Sequence, residues 1–453
     1  MSVFVNRVIN LKKIKALGFD MDYTIVRYNS QAFEELTHQT TIKKLVELKG
    51  YPQEVLNFKF DYQRSLQGLV IDKKRGNLLK ISRFGKVKFA YYGLEPLGFD
   101  KMTNTYRNRV IDLSINQFLS LDTAFSISNG VLFGQLVELK KKNTSLPDYE
   151  TLADDIKEMI DVAHSDGSLK DQVKKNIKKF IIQDPNIAPL LENYKRHGKK
   201  LLVITNSDYT YSKLLLDYAI NPFLKEHKHW SELFDITITL SKKPSFFTHK
   251  SGFLAINPKD GTMTNHEGPV TNGIYQGGFA GQLQEDLGLE GDEILYLGDH
   301  IYGDVVSLKK TFNWRTALVL DPLADEIKSI ENSASIQKNI DIAMEKKEKL
   351  ELKLIELEDY KFNNSDKSQK DEISKIYSQI DSKNKEISSQ INAYKEHFNP
   401  YWGEMMRAGQ EESRFADQVE KYACIYMTKI EDLLVHSPRT YFRPNRRDLP
   451  HES

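Results

Sequence analysis

The sequence predicts an α/β fold: a Rossmann-like parallel sheet with a large insertion after its first strand and a helical region toward the C-terminus. Three observations predict it. Short apolar runs alternate with helical stretches, each run ends in a polar cluster, and the segment between the first two runs is too long for a simple crossover.

The first run is Ala16-Leu17-Gly18-Phe19, ending in Asp20-Met21-Asp22-Tyr23-Thr24. The second is Lys200-Leu201-Leu202-Val203-Ile204, ending in Thr205-Asn206-Ser207-Asp208. The third, Asp235 to Leu240, is followed by Lys242-Lys243-Pro244, and the fourth, Glu293 to Leu297, runs into Gly298-Asp299-His300. Thr316 to Leu320 makes a fifth, stopped by Asp321-Pro322. Helices are expected at Tyr211 to Tyr218, Gln282 to Leu287 and Asp304 to Thr311. In such sheets ligands bind beyond the carboxyl ends of the strands, where these polar clusters lie.

Residues 1–37 and 185–335 are thus expected to form the core, and 38–184 an inserted domain of its own. The early part of the insertion looks mixed, with turn signals at Gly76-Asn77 and Gly85. Its later part looks helical, over 149–162 and 169–182. Residues 336–453 read as a helical hairpin and a C-terminal helical segment that packs on the core or in an oligomer interface. Ile373, Ile376, Ile380, Ile387 and Ile391 recur there at helical spacing. The polar break Asn363-Asn364-Ser365-Asp366 separates the arms, a flexible charged linker being the alternative.

Composition narrows the class. The 453 residues carry 64 Lys and Arg against 63 Asp and Glu, a formal charge of +1, which lacks the basic excess of a nucleic-acid binder. The basic run at Arg443, Arg446 and Arg447 reads as a solvated tail. The single cysteine, Cys424, rules out an intrachain disulfide and a cysteine-based zinc site, and fits a reducing compartment. The N-terminus has no signal-peptide h-region, and no apolar stretch approaches the roughly 20 residues that span a bilayer. A cytoplasmic protein that engages neither membrane nor nucleic acid is expected.

Phosphoryl transfer to a carboxylate needs several parts. A nucleophile has to approach phosphorus through negative oxygens, so a divalent cation has to offset the repulsion. Magnesium takes oxygen ligands and keeps several waters. A general acid has to protonate the leaving oxygen and can later activate water. Fixed donors have to hold the phosphoryl oxygens.

The strand ends contain each part. Asp20 reads as the nucleophile, giving an aspartyl-phosphate, and Asp22 as the acid and base. Thr205 and Asn206 offer a hydroxyl and an amide to the phosphate. Lys243 offers a compact charge to nucleophile and phosphate alike. Asp299 and Asp304, with Asp20 and Asp22, make the Mg2+ ligand set. Singly, each has a plainer reading: Asp-X-Asp marks turns, and Thr-Asn-Ser-Asp caps helices. Their joint occurrence in this order, each after a short apolar run, points to catalysis.

In these motifs the chain resembles the haloacid dehalogenase-like superfamily, and its second Asp sides with the phosphatases and phosphotransferases of that group. Phe19 to Thr24, Gly68-Leu69-Val70, Gly76 to Lys80, Gly167 to Lys170, Thr205 to Tyr209, Lys243-Pro244 with Phe246-Phe247, Tyr296 to Ile301, Trp314-Arg315-Thr316 and Pro450 to Ser453 further resemble the cytosolic purine 5′-nucleotidases of the IMP/GMP-preferring type. The resemblance covers nearly the whole chain. It implies a haloacid dehalogenase-like core with an inserted cap, hydrolysis of purine nucleoside 5′-monophosphates with some phosphotransfer to nucleosides, and a homotetramer.

It also implies a base pocket in the insertion. Phe125 and His164 would sandwich the purine, Asp161 and Lys157 would read its edge, and Lys170 would lie near the phosphate. A 6-oxopurine offers an acceptor at O6 and a donor at N1, which a cation and a carboxylate complement. Adenine reverses that pattern. The family carries Arg where Lys157 stands and an aromatic where Ser165 stands, and Lys lacks the bidentate fork of Arg. A nucleotide effector site is implied at Tyr302 and Lys310, with Asp112 where a basic residue is expected. The chain stops at Ser453 without the acidic tail of longer relatives. Two alternatives stay open: a phosphatase of another small ester such as a sugar phosphate, and a non-catalytic interaction protein that kept the fold.

Overall fold

Side chains of the apolar runs alternate between two faces of one sheet, as a strand's period of two requires. Leu17 and Phe19 of Ala16–Phe19, Leu201 and Val203 of Lys200–Ile204, and Leu295 and Leu297 of Ile294–Gly298 enter one apolar core. Ala16, Leu202, Ile204, Ile294 and Tyr296 enter another. The register agrees: Leu17 lies opposite both Leu201 and Leu295, and Phe19 opposite both Val203 and Leu297. A slip of one residue would exchange the two faces.

The computed structural model describes residues 3–364, 370–445 and 451. The hairpin break at Ser365 and Asp366, the basic residues Arg446 and Arg447, and Pro450, Glu452 and Ser453 of the terminal motif lie outside the described residues. The chain divides into two compact units, Met1–Pro322 with Met405–Ser453, and Leu323–Glu404.

The first unit holds a ten-stranded sheet. Its order is Phe4–Val5, Ile425–Met427, Arg315–Val319, Ile294–Gly298, Ala16–Phe19, Lys200–Ile204, Ile236–Thr239, Gly273–Gly277, Phe253–Ile256 and Met263–Asn265. From Ile425–Met427 to Gly273–Gly277 every pairing is parallel. Ala16–Phe19 lies between Ile294–Gly298 and Lys200–Ile204. The strand order reverses around it, which opens a crevice at the carboxyl ends. The mixed α/β fold with a parallel-dominated sheet is as the sequence predicts.

The insertion builds its own five-stranded antiparallel sheet, with Gly76 and Gly85 in its turns. It nonetheless lies within the first unit. The physical reason is a shared core: Ala163, Leu169, Val173 and Phe180 join the apolar cluster that contains Leu17 and Phe19. Its edges differ from the expectation too, since one helix, Ser30–Lys49, runs across the boundary at 37. A two-stranded ribbon, Arg27–Tyr28 with Ile181–Ile182, closes the insertion at its base.

The second unit is a pair of helices, Leu323–Asn364 and Lys370–Lys395. Leu354, Ile373, Ile376 and Ile380 form their common core. The pair starts at Leu323 rather than 336. Residues 405–445 hold the helices Arg414–Tyr422 and Glu431–Leu434 and, beyond the helical reading, a strand: Ile425–Met427 inserts between Arg315–Val319 and Phe4–Val5. Cys424, Ile425, Met427, Ile430, Leu433 and Leu434 are buried in the first unit's core, so the apolar content there serves the sheet. Among the described residues no helix is long and apolar enough to cross a membrane. A chain ended at Glu404 is therefore expected to lose the cooperative calorimetric transition of the full chain. An unchanged transition would show the Ile425–Met427 strand to be dispensable.

Candidate active site

Asp20 follows the Ala16–Phe19 strand, and its N–H donates to the Leu297 carbonyl at 2.7 Å, so strand pairing continues up to the carboxylate. The chain then curls, with the Val26 N–H donating to the Met21 carbonyl at 2.9 Å. Tyr23 takes a left-handed φ of 54° within the curl. Non-glycine residues adopt that conformation at an energetic cost, and such positions concentrate at functional sites.

Three carboxylates converge at the strand ends: Asp20, Asp299 and Asp304 are buried and offer oxygens within 4.8 Å of one another. Asp304 reaches the group because Ile301–Val306 is a π-helical turn, followed by an α-helix over Ser307–Phe312. The single helix expected from Asp304 to Thr311 is thus divided. The His300 N–H donates to Asp304 Oδ2 at 3.2 Å. Gly298 makes room for this turn, since a Cβ there would stand 2.4 Å from Asp304 Oδ2.

Lys243 places its ammonium 2.9 Å from Asp20 Oδ2 and 2.8 Å from Asp304 Oδ1. It also donates to the Tyr296 hydroxyl at 2.9 Å, which in turn donates to the Ile204 carbonyl at 3.0 Å. Burial pushes the Asp20 carboxyl up to about 8, with Lys243 pulling it down and Asp304 and Asp22 raising it further. Burial, then the nearby Asp20 and Asp304, holds Asp299 well above the carboxylate range. Among the described residues, Asp299 Oδ2 is buried without a hydrogen-bond partner. One ammonium cannot neutralise three buried carboxylates, and an orphaned acceptor in an all-oxygen cluster is what a hard divalent cation satisfies. Mg2+ therefore fits Asp20, Asp299 and Asp304.

Asp22 stands apart from that cluster. Hydroxyl groups hold its carboxylate. Tyr28 donates to Oδ1 at 2.7 Å and Ser207 to Oδ2 at 2.8 Å, with Thr205 Oγ1 3.5 Å from Oδ2. Burial raises its pKa, against the pull of the Tyr28 and Ser207 hydrogen bonds.

Asn206 does something the sequence did not suggest. Its Oδ1 accepts from the Lys243 N–H at 2.6 Å and its Nδ2 donates to the Lys243 carbonyl at 3.0 Å. Ser241 Oγ donates to the same Oδ1 at 2.9 Å. The side chain thus clasps the backbone of the residue that carries the ammonium. Thr205 is buried, and its Oγ1 accepts from the Ser207 N–H at 3.1 Å. Asp208 caps the Tyr209–Ala219 helix, as the motif suggested, and also pairs with Lys170, whose ammonium lies 5.5 Å from the Tyr211 ring centroid. Ser207, Tyr28 and Tyr211 were missed. Ser207 was hidden in a capping motif, and Tyr28 and Tyr211 have no local signal because they meet across 183 positions.

In the insertion, Lys157, Asp161 and His164 share the Tyr149–Ser165 helix at spacings that put them on one flank. Lys157 and Asp161 are exposed; partial desolvation raises the Asp161 pKa while Lys157 lowers it. Burial lowers His164 to about 4, so its ring is neutral. Phe125 meets His164 edge to face, with centroids 5.8 Å apart and planes at 88°. A sandwiched ring needs parallel planes roughly 7 Å apart. In this conformation the two rings stand edge to face rather than parallel. Phe125 packs instead on Tyr23 at 4.5 Å and Phe33 at 5.6 Å. Tyr302 is exposed, Lys310 lies 5.6 Å from the Tyr422 ring centroid, and Asp112 accepts from Ser114.

Next to this aromatic group, Glu34 is buried. Its Oε2 accepts from the Ser128 N–H at 2.6 Å, and its Oε1 has no partner among the described residues. Burial pushes it up to about 7.

The model of the 5′ nucleotidase family matches residues 3–453. A 5′-nucleotidase domain-containing protein of Dictyostelium discoideum is 26% identical over 463 residues, covering 99% of this chain and 74% of that protein. Among solved structures, a predicted phosphoglycolate phosphatase from Haemophilus somnus 129pt is 15% identical, with 68% of this chain and 85% of that one covered and a TM-score of 0.30. A HAD phosphatase from Thermococcus onnurineus is 16% identical, with 68% and 87% covered and a TM-score of 0.27.

Gly298→Ala is expected to displace Asp304 and weaken Mg2+ binding about tenfold or more, read by titration calorimetry. Unchanged affinity would remove Asp304 from the ligand set. Glu34 should make stability pH-dependent. Between its ordinary 4.5 and about 7 the folded chain holds a proton that the unfolded chain releases, so stability falls as pH rises through that window. The total is on the order of 3 kcal/mol. Glu34→Gln should flatten the limb in urea unfolding between pH 5 and 8, and an unchanged slope would place the titration on another group.

Proposed function

Because the chain belongs to the 5′ nucleotidase family, we propose that it hydrolyses purine nucleoside 5′-monophosphates with Mg2+ and an aspartyl-phosphate on Asp20. Family membership makes the chain a phosphoric monoester hydrolase. The observation that carries the chemistry is the buried triad Asp20, Asp299 and Asp304, with its orphaned Asp299 oxygen beside Lys243.

In this reading Asp20 attacks phosphorus while Lys243 orients it and faces the phosphoryl oxygens. Mg2+, when bound, offsets the triad's charge and that of the phosphate. Asp22 protonates the leaving oxygen and then takes a proton from the water that hydrolyses the aspartyl-phosphate. Thr205 donates to the phosphoryl group, and Asn206 keeps Lys243 in place. Phosphotransfer follows if a nucleoside replaces that water.

The base preference for IMP and GMP rests on the likeness of Phe125, Lys157, Asp161 and His164 to the family's pocket, and requires the Phe125–His164 contact to open. That same contact favours a second reading, a smaller ester such as a sugar phosphate. An effector nucleotide at Tyr302 and Lys310, a homotetrameric assembly and a cytoplasmic location belong to the proposal as well.

A phosphomonoester panel with Mg2+ and then with EDTA tests it. Release from IMP and GMP at least about tenfold faster than from AMP and sugar phosphates, abolished by EDTA, is the expected result. A sugar phosphate as best substrate would replace the nucleotide reading. Asp20→Asn should lower turnover by about a thousandfold or more with the thermal transition unchanged, and retained activity would sink the aspartyl-phosphate. Asp161→Ala should raise KM for GMP more than for an aryl phosphate; equal effects would place Asp161 outside the base pocket.

A further inference from the structure

The carboxylates of the site are held in two different ways. Asp20 and Asp304 take the Lys243 ammonium, whereas Asp22 is met by hydroxyl groups. An ammonium only donates, which suits a carboxylate that stays ionised. A hydroxyl both donates and accepts, so it keeps its contact whether or not the carboxyl carries a proton.

Of these hydroxyls, that of Tyr28 makes the shortest contact, and its ring is held on several sides. Its OH lies 2.7 Å from Asp22 Oδ1 and 3.1 Å from the Tyr211 OH, where either phenol can donate. Its ring is stacked on Tyr23 at 4.8 Å and meets Phe33 edge to face at 5.1 Å. Its backbone sits in the ribbon at the base of the insertion, opposite Ile181. Tyr211 stands on the Tyr209–Ala219 helix, so the phenol pair joins that helix to the insertion's base across Asp22.

We propose that Tyr28, braced by Tyr211, is a positioning residue that aims the Asp22 carboxyl at the leaving oxygen. This rests on the assignment of Asp22 as acid and base. As the P–O bond breaks, its electron pair passes to the leaving oxygen, the phosphoryl group passes to Asp20, and the Asp22 proton moves to the leaving oxygen. Aim matters most where that oxygen is a poor leaving group, and little for an activated phenolate that departs unaided.

The test uses full-length Tyr28→Phe and Tyr211→Phe with a series of aryl and alkyl phosphates graded in leaving-group pKa. It reads kcat/KM, which covers binding and the first transfer and excludes hydrolysis of the aspartyl-phosphate. Tyr28→Phe is expected to lose about tenfold or more for the poorest leaving group and less than about threefold for p-nitrophenyl phosphate, so that the dependence on leaving-group pKa steepens. Tyr211→Phe should shift it the same way by less. An equal loss across the series would mean a merely structural role and overturn the proposal, as would no loss, and an unchanged thermal transition excludes misfolding as the cause. If wild type turns over neither these esters nor IMP and GMP, or Asp20→Asn keeps full activity, the parent phosphatase mechanism has failed and this inference falls with it. If wild type is active and only the leaving-group slope stays unchanged, this inference alone is overturned.

Discussion

The site depends on a mismatch of charge. Three carboxylates are buried within a few ångströms of each other, and one ammonium, that of Lys243, is aimed at two of them. Buried charge is tolerated only when paired. Much of the surrounding structure serves that pairing. Asn206 clasps the Lys243 backbone from the neighbouring strand end, Tyr296 takes another proton of the ammonium, and Gly298 omits a side chain so that Asp304 can close in. What remains unpaired is the feature that makes the cluster receptive to a hard cation.

How much of this the sequence reveals depends on the range of the interaction. The strands were legible because their apolar runs are local, and Ala16–Phe19 and Lys200–Ile204 were located to the residue. Asp20, Lys243, Asp299 and Asp304 were legible because each follows such a run, and the structure brings them together. The contacts of Asn206 and Asp22 with Lys243 and Tyr28 have no local signal. Donors and acceptors of those types suit a phosphate or a metal equally well, and only the fold shows that Lys243's backbone and Tyr28's hydroxyl reach them first.

The C-terminal residues illustrate the opposite failure. The end of the chain read as a C-terminal helical segment packing on the core or in an oligomer interface. A three-residue strand, Ile425–Met427, is too short to stand out, and its partners lie far off in the chain. Likewise the insertion looked like a separate domain because it is long. It folds with the core because Ala163, Leu169 and Phe180 continue the apolar cluster that contains Leu17 and Phe19.

That late strand has a consequence in time. Its pairing to Arg315–Val319 includes the Cys424 N–H and the Thr316 carbonyl, 108 positions apart. During synthesis, Arg315–Val319 stays an open edge until Ile425–Met427 leaves the ribosome, which at ordinary elongation rates takes roughly 5–20 s. An unpaired edge is a template for wrong partners. Most of what emerges in between is a helical pair built on near-neighbour contacts, which folds quickly. The order of elements along the chain thus places a fast, self-contained segment in the interval when the nascent sheet is most vulnerable.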